Sequence, residues 1–213
     1  MIVYAYYENH WPDLQYDALV DIWKESWSRC GWEPKIIGIE EAKAHPDYEQ
    51  FCEAVLTMPY LHLPEYHTLC FRRYLAMVTV GGGQLVDLDM VNYGYTPGMS
   101  PKFDHTLQAG CAPCASALFY GFLCYRIMHW RRCDLVPHSD GTNDWYSDMV
   151  FLNAYLKPTC VSVNYGQPGW ETAPISHYAN GAFGNQDRPV RIRVARPFLT
   201  APLVQREQQT PGP

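Results

Sequence analysis

The chain opens on an apolar run of strand length, IVYAYY at residues 2–7. After the turn ENHWP, Asp13 is placed to cap a helix. Its apolar positions Leu14, Ala18, Leu19, Ile22, Trp23 and Trp27 recur at helical spacing until Gly31 ends it. KIIGI at 35–39 supplies a second strand. Strand, amphipathic helix and strand make a β-α-β unit, the element from which parallel sheets are built. Short helices are predicted over 40–45 and 46–58, then a Pro-bounded loop and a longer helix over 66–80. Farther along, ACAPCASALF has room for a strand and ALFYGFLCYRIMHWRR reads as a helix. NDWYSDMVFLNAYL, at 143–156, reads as another helix, capped by Asn143 or Asp144. Short strands are predicted at 160–163, 174–179 and 190–195. The polar stretch 205–213, QREQQTPGP, is expected to be a disordered tail. With no internal repeat and no linker, residues 1–204 are predicted to form a single α/β domain, a mixed and mostly parallel central sheet flanked by helices.

One stretch breaks the apolar pattern. In GGGQLVDLDMVN (81–92) a glycine turn feeds a short apolar strand that two aspartates interrupt. If the strand continues through them, alternation places Asp87 and Asp89 on one side and Val86, Leu88 and Met90 on the other. Asn92, Gly94 and Pro97 end the strand, so the carboxylates stand at its carboxyl end, where ligands collect in open α/β sheets. Two like charges held together there call for a cation or for solvent. A hard divalent ion such as Mn²⁺ or Mg²⁺, with positions left open for phosphate oxygens, is one answer. A strand face turned to water is the other.

Composition removes some partners. The formal net charge is −6, and no basic face or long Lys/Arg run appears, which excludes a nucleic acid polymer as the natural partner. Arg72-Arg73, Arg131-Arg132 and the basic piece at 188–196 read as local solvated features. No stretch has signal-peptide architecture or the length to cross a bilayer, so a soluble, cytoplasmic protein is expected. Of eight cysteines, only Cys111 and Cys114 have redox or zinc-like spacing, and without a second pair they read as structural.

A helix carrying Arg73-Tyr74, then Gly82-Gly83, then a short apolar strand into Asp87-Leu88-Asp89 resembles the GT-A glycosyltransferases. The likeness is to their group with a sugar-binding region containing a DXD motif, and it is clear over about residues 68–97. His67, Thr68, Leu69 and Cys70 stand where that group often carries an Asp. The resemblance implies a GT-A-like, Rossmann-related domain that moves a sugar from a nucleotide diphosphate, by family habit a UDP-sugar, to a hydroxyl of a carbohydrate acceptor. It implies that Asp87, Leu88, Asp89 and Arg73 belong to the donor site, with Asp89 the closer metal ligand. A third ligand in such enzymes is often a histidine near the carboxyl end, and His177, in PISHYANGAFG, is the best placed. A packed core histidine is the competing reading. The nucleobase pocket is expected just past the first strand, at Ala5, Tyr6, Tyr7 and Glu8, with one tyrosine facing the ligand, and Tyr6 and Tyr7 as core residues are the competing reading. SDMVFLNAY resembles a helix start of retaining transferases, which implies Asp148, with Asp144 nearby, on the catalytic side.

Two other functions fit parts of the chain. Asp87-Leu-Asp89-Met-Val91 with Asp144 and Asp148 loosely matches a haloacid-dehalogenase-like phosphatase, in which Lys102 would have to be the phosphoryl-binding lysine. A non-catalytic carbohydrate or nucleotide-sugar-binding module on the same fold is the third.

Overall fold

The computed structural model describes residues 1–8, 16–59, 64–100, 105–107, 112–131, 134–135, 146, 152, 155–158, 163–165 and 173–178. The elements in chain order are β1 (Ile2–Tyr6), α1 (Tyr16–Arg29), β2 (Glu33–Ile37), α2 (Ile39–Lys43), α3 (Tyr48–Leu56), α4 (Pro64–Thr79) and β3 (Gly82–Leu85). Then follow β4 (Met90–Asn92), β5 (His105–Thr106), β6 (Pro113–Ser116), α5 (Ala117–Met128), β7 (Lys157–Pro158), β8 (Val163–Tyr165) and β9 (Ile175–His177). The fold is α/β.

The main sheet has the order β2-β1-β3-β6-β5-β7. β2, β1 and β3 are parallel, β6 runs against both β3 and β5, and β5 and β7 are parallel again. The predicted β-α-β opening is present, but its second strand starts two residues early and includes Pro34, opposite Val3. β2 is an edge strand, so the N–H that proline lacks is not needed by a further neighbour. Helix α1 ends in a Schellman arrangement: Trp32 N–H donates to Trp27 C=O and Gly31 N–H to Ser28 C=O, with Gly31 at φ 83°.

The pleat of β1 divides the core. Tyr4 faces α2 to α5 in a cluster with Phe51, Phe71, Leu75, Leu85 and Leu123. Val3 and Ala5 face the other way, against Trp23, Trp27, Val86, Met90 and Ile175. Helices therefore cover both faces of the sheet.

A second sheet has the order β4-β9-β8. One edge of β4 pairs with β9, and side chains from α1 and the turn after it satisfy the other. Trp27 Nε1 donates to Met90 C=O (3.0 Å), Asn92 N–H donates to Ser26 Oγ (3.2 Å), and Trp32 Nε1 donates to Tyr95 C=O (2.7 Å). Buried backbone groups need partners, and here a helix supplies what a neighbouring strand would. The strand that follows the two aspartates is thus held on both edges.

Several predicted features move. The helix over 117–132 ends at Met128, and the strand expected at 160–163 is found at Val163–Tyr165. The strand at 190–195, the tail, Cys111 and most of the helix at 143–156 lie outside the described residues, as does Lys102. Cys114 is buried within β6. Among the described residues no helix is long and apolar enough to cross a membrane.

The core carries many buried hydroxyls, with consequences at high pH. Burial pushes the Cys30 thiol up to about 11 and the Tyr95 hydroxyl up to about 12. Burial also raises Tyr93, Tyr120 and Tyr178. The unfolded chain loses these protons first, the thiol near 9.0 and the phenols near 10.0. Above those values the unfolded state binds fewer protons than the folded one. The stabilisation is complete below pH 9 and is lost as pH rises through 9–11 for Cys30 and 10–12 for Tyr95. Each such group contributes a slope of about 1.4 kcal/mol per pH unit across its window. Melting temperatures should fall steeply above pH 9–10 and recover on return to neutral pH. Tyrosinate absorbance that rises to completion before the fold melts is the contrary result.

Candidate metal centre

β3 ends at Leu85, and Val86 N–H, donating to Tyr4 C=O at 2.9 Å, is the last backbone bond to β1 before the chain leaves the sheet. Asp87 C=O then accepts from Met90 N–H at 3.0 Å, closing a tight turn over 87–90. The aspartates therefore sit on a turn between two sheets, not at alternate positions of one strand as alternation predicts. The chain must cross from the main sheet to β4 here, and the turn makes that step. The apolar side of the pattern holds: Val86 and Met90 are buried in the α1-side core, and Leu88 packs against it. Leu88 is thus a packing residue of the site.

The third partner comes from 88 residues farther along the chain. β9 pairs antiparallel with β4, His177 opposite Met90, and Tyr178 N–H donates to Asp89 C=O at 2.9 Å. His177 Nε2 lies 3.2 Å from Asp89 Oδ1 and 3.7 Å from Asp87 Oδ2. Among the described residues, Asp87, Asp89 and His177 form a group whose ligand atoms all lie within 4.8 Å of one another. Such a group can hold a divalent metal ion. Two carboxylate oxygens and one imidazole nitrogen are hard-to-borderline donors of the kind such ions take. Just behind, the hydroxyls of Tyr93 and Tyr178 meet at 2.8 Å and tie the residue after His177 to the loop after β4.

Helix α4 reaches the centre through Arg73. Its Nη1 donates to Asp87 Oδ1 at 2.6 Å, a short charge-assisted bond. Nη2 donates to the Tyr74 hydroxyl at 3.2 Å, and the guanidinium carbon lies 5.1 Å from the centre of the Tyr74 ring. One oxygen of Asp87 is therefore held by Arg73, and the other faces His177. Arg73 contacts the first aspartate of the pair directly.

Arg72, the preceding residue on α4, makes a parallel contact one strand over. Its Nη1 lies 3.0 Å from Glu8 Oε2, just past the end of β1, and the Tyr6 hydroxyl donates to Glu8 Oε1. The Arg72 and Glu8 side chains are 20% and 6% exposed, so neither of the two tandem arginines is the solvated surface residue that the sequence suggests. α4 thus ties the carboxyl ends of two adjacent parallel strands, β1 through Arg72 and β3 through Arg73. The Arg72–Glu8 pair spans 64 residues, and no local pattern in the sequence announces it.

The residues expected to line a base pocket are placed by the pleat. Ala5 is wholly buried in the α1-side core, backbone included, between β2 and β3. Tyr6 packs on the α2–α5 side with its hydroxyl on Glu8, and Tyr7 N–H donates to Ile37 C=O at 2.9 Å. Asp144 and Asp148 lie outside the described residues. No family model matches the sequence, and no curated protein matches it.

Proposed function

We propose that this chain is a metal-dependent glycosyltransferase of the GT-A type, moving a sugar from a nucleotide-diphosphate donor, by preference a UDP-sugar, to a hydroxyl of a carbohydrate acceptor. One observation carries the reading. β9 delivers His177 to both carboxylates of the Asp87-Leu88-Asp89 turn, at the carboxyl end of a parallel strand. That is where α/β sheets bind nucleotides, and the histidine is the third ligand that the resemblance implies.

Asp89, Oδ2 of Asp87 and His177 Nε2 would hold the ion, and the nitrogen donor favours Mn²⁺ over Mg²⁺. The bound ion would offset the negative charge that builds on the departing diphosphate as the glycosidic bond breaks. The chain's own residues do the rest. Arg73 fixes Asp87, the Tyr178–Asp89 backbone bond fixes the far end of the turn, and the end of β1, Ala5 to Glu8, is assigned to the nucleoside on the sequence resemblance. Asp148 and Asp144 are assigned to the sugar and acceptor side on the sequence resemblance.

The test is incubation of the full chain with a panel of UDP-sugars, with and without Mn²⁺, followed by product analysis. Free UDP that appears only with the ion, and disappears with a chelator, is the expected result. Release of inorganic phosphate instead identifies a phosphatase. Binding without either product identifies a carbohydrate or nucleotide-sugar-binding module.

A further inference from the structure

We infer that Arg73 is a positioning residue that couples cation binding to anion binding at the Asp87–Asp89–His177 centre. This inference rests on the metal reading above. Among the described groups the centre sets two carboxylates against one guanidinium, and an imidazole that ligates a metal is neutral. Arg73 occupies Oδ1 of Asp87 at 2.6 Å and so serves as a resident counter-cation that lets the aspartates stand together without an ion. Its side chain is 9% exposed and is braced by the Tyr74 hydroxyl and ring, so it cannot swing into solvent without leaving Asp87. Screening by salt is weak at such depth.

A dication entering the centre meets this fixed positive charge as well as the carboxylates. Counted over the described groups, the loaded centre carries one net positive charge, which opposes binding of the ion alone and favours an accompanying anion. A diphosphate group supplies that anion. By linkage the preference is reciprocal: the anion tightens the cation by the same factor that the cation tightens the anion. Removing the arginine charge makes the loaded centre one unit less positive and weakens its pull on an anion by that much. The arrangement disfavours loading with the metal alone and favours the metal–diphosphate pair.

Calorimetric titration of the full chain with MnCl₂ alone and with preformed Mn²⁺–pyrophosphate tests this. The wild-type protein should bind the complex about tenfold more tightly than the ion alone, within the ordinary range of coupling between sites. Arg73→Gln, which keeps a hydrogen-bond donor near Asp87 but removes the charge, should bind Mn²⁺ alone more tightly, with the ratio falling toward one. Arg73→Lys should keep most of the wild-type ratio. If Arg73→Gln binds the ion more weakly and leaves the ratio unchanged, Arg73 is only a scaffold for Asp87 and the inference fails. Should the glutamine variant not fold, a wild-type ratio near one, or an Arg73→Lys ratio collapsed to one, overturns it equally. Mn²⁺-dependent UDP release with unmoved ratios sinks the coupling alone. A wild-type chain that binds neither Mn²⁺ nor its pyrophosphate complex sinks the metal reading with it.

Discussion

Asp89→Ala is expected to abolish Mn²⁺-dependent release of UDP, by at least about a hundredfold in turnover, while the protein still folds. The two halves of that expectation come from different atoms of the same residue. The carboxylate faces His177 at 3.2 Å and is one of the three groups that converge on the centre. Without it Asp87 and His177 remain, and Asp87 has one oxygen committed to Arg73. The backbone of Asp89 does the structural work: its carbonyl accepts from Tyr178 N–H and starts the β4–β9 ladder. An alanine keeps that bond. Removing the carboxylate also relieves repulsion against Asp87, which offsets the lost contact with His177, so stability should change by no more than about 1 kcal/mol. Circular dichroism and a thermal melt check the fold, and product analysis checks the chemistry. Wild-type turnover by a well-folded Asp89→Ala protein would remove this centre from the reaction.

Local signals in the chain marked the centre's acidic half, and family resemblance pointed to its histidine, though for partly different reasons than the structure supplies. Alternation foresaw that Val86, Leu88 and Met90 would turn away from Asp87 and Asp89, and they pack toward the α1-side core. It did not foresee that the chain breaks from the sheet at Val86, because a tight turn and a strand present the same i, i+2 spacing. His177 was singled out by its apolar surroundings and by resemblance. Its position was decided by the register of β9 on β4, a contact between distant parts of the chain. The arginines show the limit most clearly. Composition marks Arg72 and Arg73 as a basic dipeptide on a helix, and a helix surface is the ordinary place for one. Which carboxylate each would meet depends on how α4 lies across the ends of β1 and β3, and only the assembled sheet contains that information. The same holds for β4, whose free edge is closed by Ser26 and Trp27, residues that periodicity assigned correctly to a helix but not to a strand's hydrogen bonds.

Gly82→Ala should destabilise the protein by about 3 kcal/mol or more, whereas Gly81→Ala should cost about 1–2 kcal/mol. Both glycines have positive φ, 85° and 92°, and both lose conformational fit when a side chain is added. Their surroundings differ. A Cβ at Gly81 meets nothing within 4 Å. A Cβ at Gly82 falls 2.6 Å from both Ala115 C=O oxygen and Ala117 N, and 2.7 Å from the Ser116 carbonyl carbon. These are backbone atoms of β6 and of the start of α5, so no side chain can swing aside. The seam must open instead. Gly82 pairs with Ser116, whose hydroxyl accepts from Phe119 N–H and caps α5, and the Tyr120 hydroxyl of that helix donates to Gly83 C=O. Forcing β3 from β6 therefore disturbs the cap, the helix and the strand that leads directly into the Asp87–Asp89 turn. Chemical denaturation of the two variants side by side measures the difference, and titration with Mn²⁺–pyrophosphate shows whether the damage reaches the centre. The paired glycine of the signature is required here because β6 passes too close for any larger residue, and equal losses at Gly81 and Gly82 would contradict that.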